Sequence, residues 1–142
     1  MIRKITLAAL LLVAAIAANT TAATAQVKFH TGDTSTLYKE SRAGDKLIFI
    51  DLYASWCPPC KAMDRDVFSR KDVGDFMSKN FISAKYSVDE GIGAEFSRSY
   101  NVRSIPTYLI FNSEGVLVAQ MAGAMSHTEF ITNMTSIIEQ AK

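Results

Sequence analysis

One segment constrains the fold of this chain more than any other: a buried-strand pattern that ends next to two cysteines. Residues 47–53, Leu-Ile-Phe-Ile-Asp-Leu-Tyr, are a nearly unbroken apolar run rich in β-forming residues. Continuous rather than alternating hydrophobicity is typical of a strand covered on both faces, as in parallel sheets. Cys57 and Cys60 follow where a helix is predicted to begin. The segment therefore predicts an α/β domain with two thiols at the junction of a buried strand and a helix.

The rest of the chain alternates predicted strands with predicted helices. Ser126 and Glu129, three residues apart before an apolar run, form a capping box for the last helix, which ends near residue 140. Ser69 and Asp72 have the same spacing before a helix that Asn80 ends. This order, closed by a hairpin and a helix, predicts an α/β sandwich with a mixed β-sheet. The other predicted strands cover residues 27–30, 81–88, 108–111 and 116–121, and the other helices cover 34–43, stopped by Gly44, the stretch from the cysteines to about Phe68, and 91–100.

The first 25 residues have the three parts of a secretory signal. Met1–Lys4 is basic, Ile5–Ala18 carries no charge, and Ala23-Thr24-Ala25 places small residues at the positions that a signal peptidase reads. We therefore expect cleavage after Ala25, with residues 1–25 a signal peptide and residues 26–142 one domain. An uncleaved membrane anchor is the alternative, but the apolar run of about 14 residues is shorter than the roughly 20 that span a bilayer.

Charge and cysteine content exclude several classes of protein. The chain of 142 residues has a formal charge of +1, which becomes −1 once the two basic residues of segment 1–25 are removed. Its charges are scattered, so it has no field that would hold a nucleic-acid backbone. We expect no stable membrane insertion after signal cleavage. Two cysteines are too few for a disulfide-stapled fold, so the domain must rest on an apolar core.

The two thiols share one face of the predicted helix and can close a small disulfide ring. The partial positive charge of the helix N-terminus favours the thiolate of Cys57, which is the predicted nucleophile. Cys60, one turn further and less exposed, is placed to attack a mixed disulfide at Cys57 and release the reduced partner. Pro58 and Pro59 fit a first helical turn, but neither can donate a backbone hydrogen bond to the Cys57 sulfur.

Zinc binding and structural cross-linking are two other uses of such a pair. A zinc site needs about four ligands, and the remaining candidates, His30 and His127, are not paired with another ligand. A structural disulfide would close a very short loop and would therefore stabilise the fold little.

Several motifs together resemble the thioredoxin family, in the family's order and over nearly all of residues 26–142. They are Trp-Cys-x-x-Cys-Lys at 56–61, Asp51 six residues before the first cysteine, Val-Arg-Ser-Ile-Pro-Thr at 102–107, Gly115 in the last hairpin, and Gly123-Ala124 before the last helix. The resemblance implies a thioredoxin fold, with a central mixed sheet flanked by helices on both faces, and thiol:disulfide oxidoreductase activity. We expect no cofactor and no metal.

The resemblance also assigns roles around the cysteines. Pro106 would be the cis-proline that faces the active site, and Ile105 the residue whose backbone pairs with a bound substrate strand. Asp51 would be the buried carboxylate beneath the disulfide, with Lys85 as its partner. Trp56 would be a neighbour of the site.

These roles have physical reasons and alternatives. A carboxylate buried on a central strand has a raised pKa, which suits a group that takes the Cys60 proton as that thiol attacks. Alternatively, Asp51 caps a loop at a strand end, and Pro106 occupies an ordinary trans turn. Trp56 and Tyr53 could equally be aromatic residues of the core or its rim.

Two features depart from ordinary thioredoxins. Residues 62–69 lack the proline that kinks the helix after the cysteines. In this the chain looks more like the thioredoxin-like domain of the membrane electron-transporting thiol:disulfide interchange protein. Ser104 stands where many thioredoxins have glycine in the substrate groove, so the substrate preference of the family does not transfer.

An export signal joined to a thioredoxin-like site predicts a periplasmic or secreted oxidoreductase that reduces or exchanges disulfides of exported proteins. A reductant outside the cytosol needs electrons delivered through the membrane, so a membrane thiol transporter is the expected electron donor. A dedicated reductant of apocytochrome c is a narrower alternative, although such proteins usually carry an additional insertion. A non-catalytic binding or chaperone module is another, and Asp51, Lys85 and Pro106 beside both cysteines argue against it.

Overall fold

The computed structural model describes residues 26–142, so the predicted signal peptide lies outside the described part of the chain. In chain order the elements are α1 (Thr34–Gly44), β1 (Leu47–Tyr53), α2 (Pro58–Met63), a π-helical turn (Asp64–Phe68), α3 (Lys71–Asn80), β2 (Phe81–Ser87), α4 (Gly91–Ser99), β3 (Thr107–Phe111), β4 (Leu117–Ala122) and α5 (His127–Gln140). Within residues 26–142, no helix is both long and apolar enough to cross a bilayer.

The strands form one sheet of order β2-β1-β3-β4. β1 pairs in parallel with β2 and antiparallel with β3, and β3 and β4 form an antiparallel hairpin. The predicted α/β sandwich with a mixed sheet is therefore confirmed. The segment 27–30 makes a single bridge to β2 instead of a full strand. The His30 N–H donates to the Ser83 carbonyl at 2.9 Å, and the Lys85 N–H donates to the His30 carbonyl at 3.0 Å.

β1 is buried on both sides of the sheet, which explains its continuous hydrophobicity. Phe49 lies in the core formed with the π turn, α3 and α5, whereas Ile48, Ile50 and Leu52 lie in the core formed with α1 and α4. Side chains alternate between the two faces along a strand, so Asp51 shares the face of Phe49. The carboxylate of Asp51 therefore lies on the side of the sheet that the π turn and α5 cover.

The ends of α5 and α1 show one local signal that is confirmed and one that is not. At α5 the Glu129 N–H donates to the Ser126 hydroxyl at 3.3 Å, and the Ser126 N–H donates to the Glu129 carboxylate at 2.8 Å, which is the predicted capping box. Gly44, in contrast, does not cap α1. Gly44 is itself the last residue of the helix, and the C-cap residue is Asp45, which has a left-handed φ of 49°. Aspartate is one of the few residues besides glycine that adopts this conformation readily.

The helix after the cysteines runs to Phe68, as the sequence predicts, but its last five residues, Asp64–Phe68, are π-helical. α2 ends at Met63, and one π turn follows, in which the Ser69 N–H donates to the Asp64 carbonyl at 3.2 Å. A π turn accommodates one extra residue and is often found at functional sites. This turn keeps Phe68 in the core, where its ring packs edge-on against Phe29 at 5.2 Å between centroids.

The π turn also shifts the start of α3. The predicted Ser69 cap is wrong, because the Ser69 hydroxyl donates to the Arg65 carbonyl at 2.6 Å and is already committed to the preceding turn. α3 begins after Arg70, without a side-chain cap. Asp72, the expected partner of Ser69, accepts a hydrogen bond from the Arg70 guanidinium at 2.9 Å.

Candidate active site

Cys57 and Cys60 form a disulfide at the start of α2. Cys57 is the N-cap residue of this helix, and Pro58 and Pro59 lie in its first turn. The Cys60 N–H donates to the Cys57 sulfur at 3.2 Å. A backbone donor therefore serves this sulfur, although the two prolines between the cysteines have no N–H to give.

The two cysteines are equally buried, which corrects the expectation that Cys60 is the less exposed of the two. Each has 2% of its surface exposed. The reason lies in the loop before β3, because the carbonyl oxygen of Ile105 lies 3.8 Å from the Cys57 sulfur. The N-cap position, rather than exposure, distinguishes Cys57 from Cys60.

The loop that approaches the disulfide contains the Ile105–Pro106 peptide bond, which is cis, as the resemblance implies. Two hydrogen bonds hold this loop. The Thr107 hydroxyl donates to the Ser104 carbonyl at 2.7 Å, and the Gly123 N–H donates to the Pro106 carbonyl at 2.8 Å. Ser104 is exposed and Ile105 is half-buried, so a chain that approaches Cys57 would meet both.

Asp51 is buried in β1, with 1% of its surface exposed. Its register partners are Lys85 on β2 and Tyr108 on β3. The Lys85 ammonium donates to Oδ2 of Asp51 at 3.0 Å, so the structure brings together the two residues that the resemblance pairs. Burial raises the pKa of Asp51 to about 6. The positive charge of Lys85 lowers this pKa, and the negative charge of Asp64 raises it.

Asp64 is a charged neighbour of this site that the sequence interpretation missed. Lys85 forms an ion pair with Asp64 as well as with Asp51, and it lies between a buried carboxylate and one that is 47% exposed. Burial disfavours the charge of Lys85, but the two carboxylates outweigh burial and raise the pKa of its ammonium. Asp64 follows Cys60 by four residues, which places both on one face of a helix, and this spacing was the available signal.

Aromatic rings surround the Lys85 ammonium. Its Nζ lies 4.6 Å from the ring centroid of Tyr53, 5.5 Å from that of Phe29 and 5.8 Å from that of Phe68. The negative face of an aromatic ring attracts a cation, more so where water is displaced. The rings therefore help to keep this lysine charged inside the fold. Tyr53, which the sequence left between core and rim, lies against this charge.

Trp56 projects from the surface beside the cysteines. Its side chain is 64% exposed, and its indole N–H donates to Asp89 at 3.0 Å. The alternative of a core position therefore does not apply to Trp56.

The two histidines considered as zinc ligands lie apart from the cysteines in their contacts. His30 pairs with Glu40 at 3.3 Å, and His127 is the first residue of α5. Among the residues that the structure describes, no three His, Cys, Asp or Glu side chains are arranged to hold a metal ion.

Comparison with known proteins decides the family. A family profile described as a thioredoxin-like domain matches residues 35–137. The chain belongs to the thioredoxin-like family. Thioredoxin-1 of Drosophila melanogaster is 37% identical to it over 99 residues, which are 70% of this chain and 85% of that protein. The solution structure of a candidate disulphide-isomerase from Bacteroides thetaiotaomicron matches with a TM-score of 0.72 and 30% identity, covering 80% of this chain and 94% of that one.

This thioredoxin-like protein is also similar to part of a longer protein. The thiol:disulfide interchange protein DsbD of Yersinia pestis is 28% identical over 97 residues, which are 66% of this chain but 16% of the relative. The expected thioredoxin fold is confirmed by these comparisons. So is the class of the protein: it is a thioredoxin-like thiol:disulfide oxidoreductase with a Cys57–Cys60 pair.

Replacing Asp51 with asparagine is expected to stabilise the oxidised protein at neutral pH. The pKa of Asp51 is about 6 in the fold against an ordinary value of 3.8. Folding is therefore penalised increasingly as the pH rises from about 4 to about 6, because the unfolded chain loses this proton first. Two pH units correspond to about 3 kcal/mol. Urea unfolding at about pH 7 should show a gain of this order for Asp51→Asn, and at about pH 3.5 little change.

The matched control for this measurement is Asp64→Asn, because the Asp64 carboxylate is half-exposed and its desolvation costs little free energy. We expect its free energy of unfolding at pH 7 to change much less than that of Asp51→Asn. A loss of stability in Asp51→Asn at pH 7 would contradict the assignment of Asp51 as a destabilising buried charge.

The two neighbours of Asp51 are expected to move its pKa in opposite directions. Lys85→Met removes the opposing positive charge and should raise the pKa of Asp51 well above 6. Asp64→Asn removes a like charge and should lower it. The midpoints can be read from carboxyl carbon NMR titrations of the oxidised protein, with exposed Lys61→Met as the control that leaves Asp51 unchanged. Shifts in the same direction for both variants would refute this charge arrangement.

Proposed function

We propose that this thioredoxin-like protein is exported, with residues 1–25 removed as a signal peptide, and reduces disulfide bonds of other exported proteins. One observation carries the proposal. A disulfide caps the start of α2, and the neighbouring strand β1 holds a buried carboxylate paired with a lysine. A dithiol that is oxidised must lose two electrons and two protons, and this arrangement offers a sulfur pair for the electrons and a carboxylate for a proton.

The reaction uses the two thiols in turn. In the reduced protein, the Cys57 thiolate attacks one sulfur of a partner disulfide, which forms a mixed disulfide and releases one partner thiolate. The Cys60 thiol then gives its proton to Asp51, and its sulfur attacks the Cys57 sulfur. This step closes the Cys57–Cys60 disulfide and releases the second partner thiolate. Two electrons pass to the partner, and its thiolates take protons from solvent.

Asp51 suits the role of proton acceptor. With a pKa of about 6 it is mostly ionised at pH 7, yet it holds a proton far better than an ordinary aspartate does. A general base works best when its pKa lies near the working pH. Lys85, bonded to one carboxylate oxygen at 3.0 Å, fixes the orientation of this base.

The loop before β3 and the side chain of Trp56 form the surface that binds the partner. The Ile105 carbonyl lies 3.8 Å from the Cys57 sulfur, so a partner strand that pairs with this backbone would present its own disulfide to Cys57. Pro106 has no N–H that could compete for the partner's carbonyl groups. Trp56, exposed and hydrogen-bonded to Asp89, adds an apolar surface beside the cysteines.

Export and re-reduction complete the proposal. The basic, apolar and small-residue parts of segment 1–25 support export, as does the similarity to a segment of a bacterial thiol:disulfide interchange protein. Every turnover leaves the Cys57–Cys60 disulfide, so a second dithiol must restore the thiols. We assign this role to a membrane protein that carries thiol electrons across the membrane.

The residues at the start of α2 support the reducing direction. Pro58 and Pro59 give no N–H to the Cys57 sulfur, so the thiolate of the reduced form is less stabilised than at a helix start with ordinary residues. We expect a reduction potential closer to the roughly −270 mV of thioredoxin than to the roughly −120 mV of the strong periplasmic oxidant. Equilibration with dithiothreitol measures it. Pro59→Ala restores an N–H and should raise the value, and a wild-type value near −120 mV would reverse the direction.

A cysteine trap tests the function itself. In Cys60→Ala the mixed disulfide on Cys57 is not resolved, so the variant expressed in cells should hold exported partners that are released by dithiothreitol. Cys57→Ser is the matched control and should hold none. The wild type should reduce insulin, and both single variants should lose that activity. Absence of trapped exported partners together with failure of the wild type on insulin would refute the proposal, and a cellular activity that survives Cys57→Ser would indicate a non-catalytic module.

A further inference from the structure

Two buried oxygen atoms within residues 26–142 have no hydrogen-bond partner: Oδ1 of Asp51 and the hydroxyl oxygen of Tyr108. Lys85 serves the other carboxylate oxygen of Asp51, Oδ2. Tyr108 is completely buried. Buried polar groups are almost always hydrogen-bonded to protein or to an internal water, so two orphaned oxygens need a physical explanation.

The sheet places these two residues side by side. Tyr108 on β3 is the register partner of Asp51 on β1, and directly opposed side chains lie on the same face with Cβ atoms roughly 5 Å apart. The Tyr108 ring stacks on Phe49 at 5.5 Å and packs edge-on against Phe68 and Phe130 at 6.3 and 6.2 Å between centroids. These rings are apolar, so the Asp51 carboxylate is the polar neighbour that the register gives to the phenol.

We propose that Tyr108 is a positioning residue for the redox reaction: its hydroxyl donates, through one buried water molecule, a hydrogen bond to Oδ1 of Asp51. A water between the two gives both orphaned atoms a partner, which is the usual role of buried water. The bond favours the ionised carboxylate, the form that accepts the Cys60 proton. The inference rests on the proton-acceptor role of Asp51 given above and adds the residue that adjusts it.

The other groups around Asp51 do not replace this contact. Lys85 comes from β2 and binds Oδ2, and Asp64 of the π turn binds the same lysine from its exposed side. Burial raises the pKa of Tyr108, and the charges of Asp51 and Asp64 raise it further, so its hydroxyl keeps its proton and remains a donor. The charged and ionisable groups that the structure places around the carboxylate are Lys85 on β2, Asp64 on the π turn and Tyr108 on β3.

Tyr108→Phe tests the inference with little change in packing, because phenylalanine keeps the ring against Phe49. Loss of a donor to the charged form should raise the midpoint of the Asp51 carboxyl titration by roughly one pH unit in the oxidised protein, as read by carboxyl carbon NMR. The acid limb of the pH profile for insulin reduction should move by the same amount. Tyr86→Phe is the matched control, because the Tyr86 hydroxyl donates to the Gly32 carbonyl at 2.8 Å and lies in the core on the other face. It should leave both midpoints unchanged.

A second measurement follows the unaltered protein, with Asp51→Asn as its control variant. The hydroxyl-bearing ring carbon of Tyr108 should shift with the midpoint of Asp51, and this inflection should be absent in Asp51→Asn. An unchanged Asp51 midpoint in Tyr108→Phe, or a Tyr108 carbon signal that does not respond to the titration, would overturn the inference. Both NMR titrations are independent of partners and location, so they separate failure of this inference from failure of the proposed function.

Discussion

The Asp51 carboxylate, buried in an inner strand of the sheet, determines which side chains must lie around it. Asp51 cannot stay ionised in an apolar core without a counter-charge, and Lys85, its register partner on β2, provides one at 3.0 Å. The lysine must itself be kept from water without losing its charge. The Lys85 ammonium lies against the ring faces of Phe29, Tyr53 and Phe68. Three separate parts of the chain therefore contact this one charge.

The π turn allows the helix that carries the cysteines to meet two structural requirements. That helix must begin at Cys57, and its continuation must supply both a charge for Lys85 and aromatic packing for the core. One extra residue in the turn lets Asp64 pair with the lysine while Val67 and Phe68 stay buried.

Local patterns predicted the parts of the fold that depend on local physics. The apolar run of β1 and the capping box of Ser126 and Glu129 are where the sequence places them, because burial of a strand and capping of a helix act within a few residues. Ser69 failed as a cap because a carbonyl of the preceding turn had already engaged its hydroxyl. Residues 62–69 contain nothing that separates a π turn from an α turn, so that turn could not be predicted.

The site was predictable to the extent that it follows a linear motif. The cysteines, Asp51 and Lys85 stand in family order, whereas Asp64 reaches Lys85 across 21 residues. Tyr108 meets Asp51 only through the strand register. The equal burial of the two cysteines depends on a loop some 48 residues away, at Ile105. Contacts of this kind exist only once the sheet has formed.

The disulfide ring spans four residues at the start of one helix, and both cysteines of the chain belong to it. Opening so short a ring returns little freedom to an unfolded chain, so the oxidised and reduced proteins should differ little in chain entropy. A thermodynamic cycle links this difference in stability to the reduction potential of the disulfide. The potential of the folded disulfide then differs from that of an unfolded peptide chiefly through contacts at the sulfurs themselves. The chain away from the sulfurs therefore contributes little to any difference in folding free energy between the oxidised and the reduced protein.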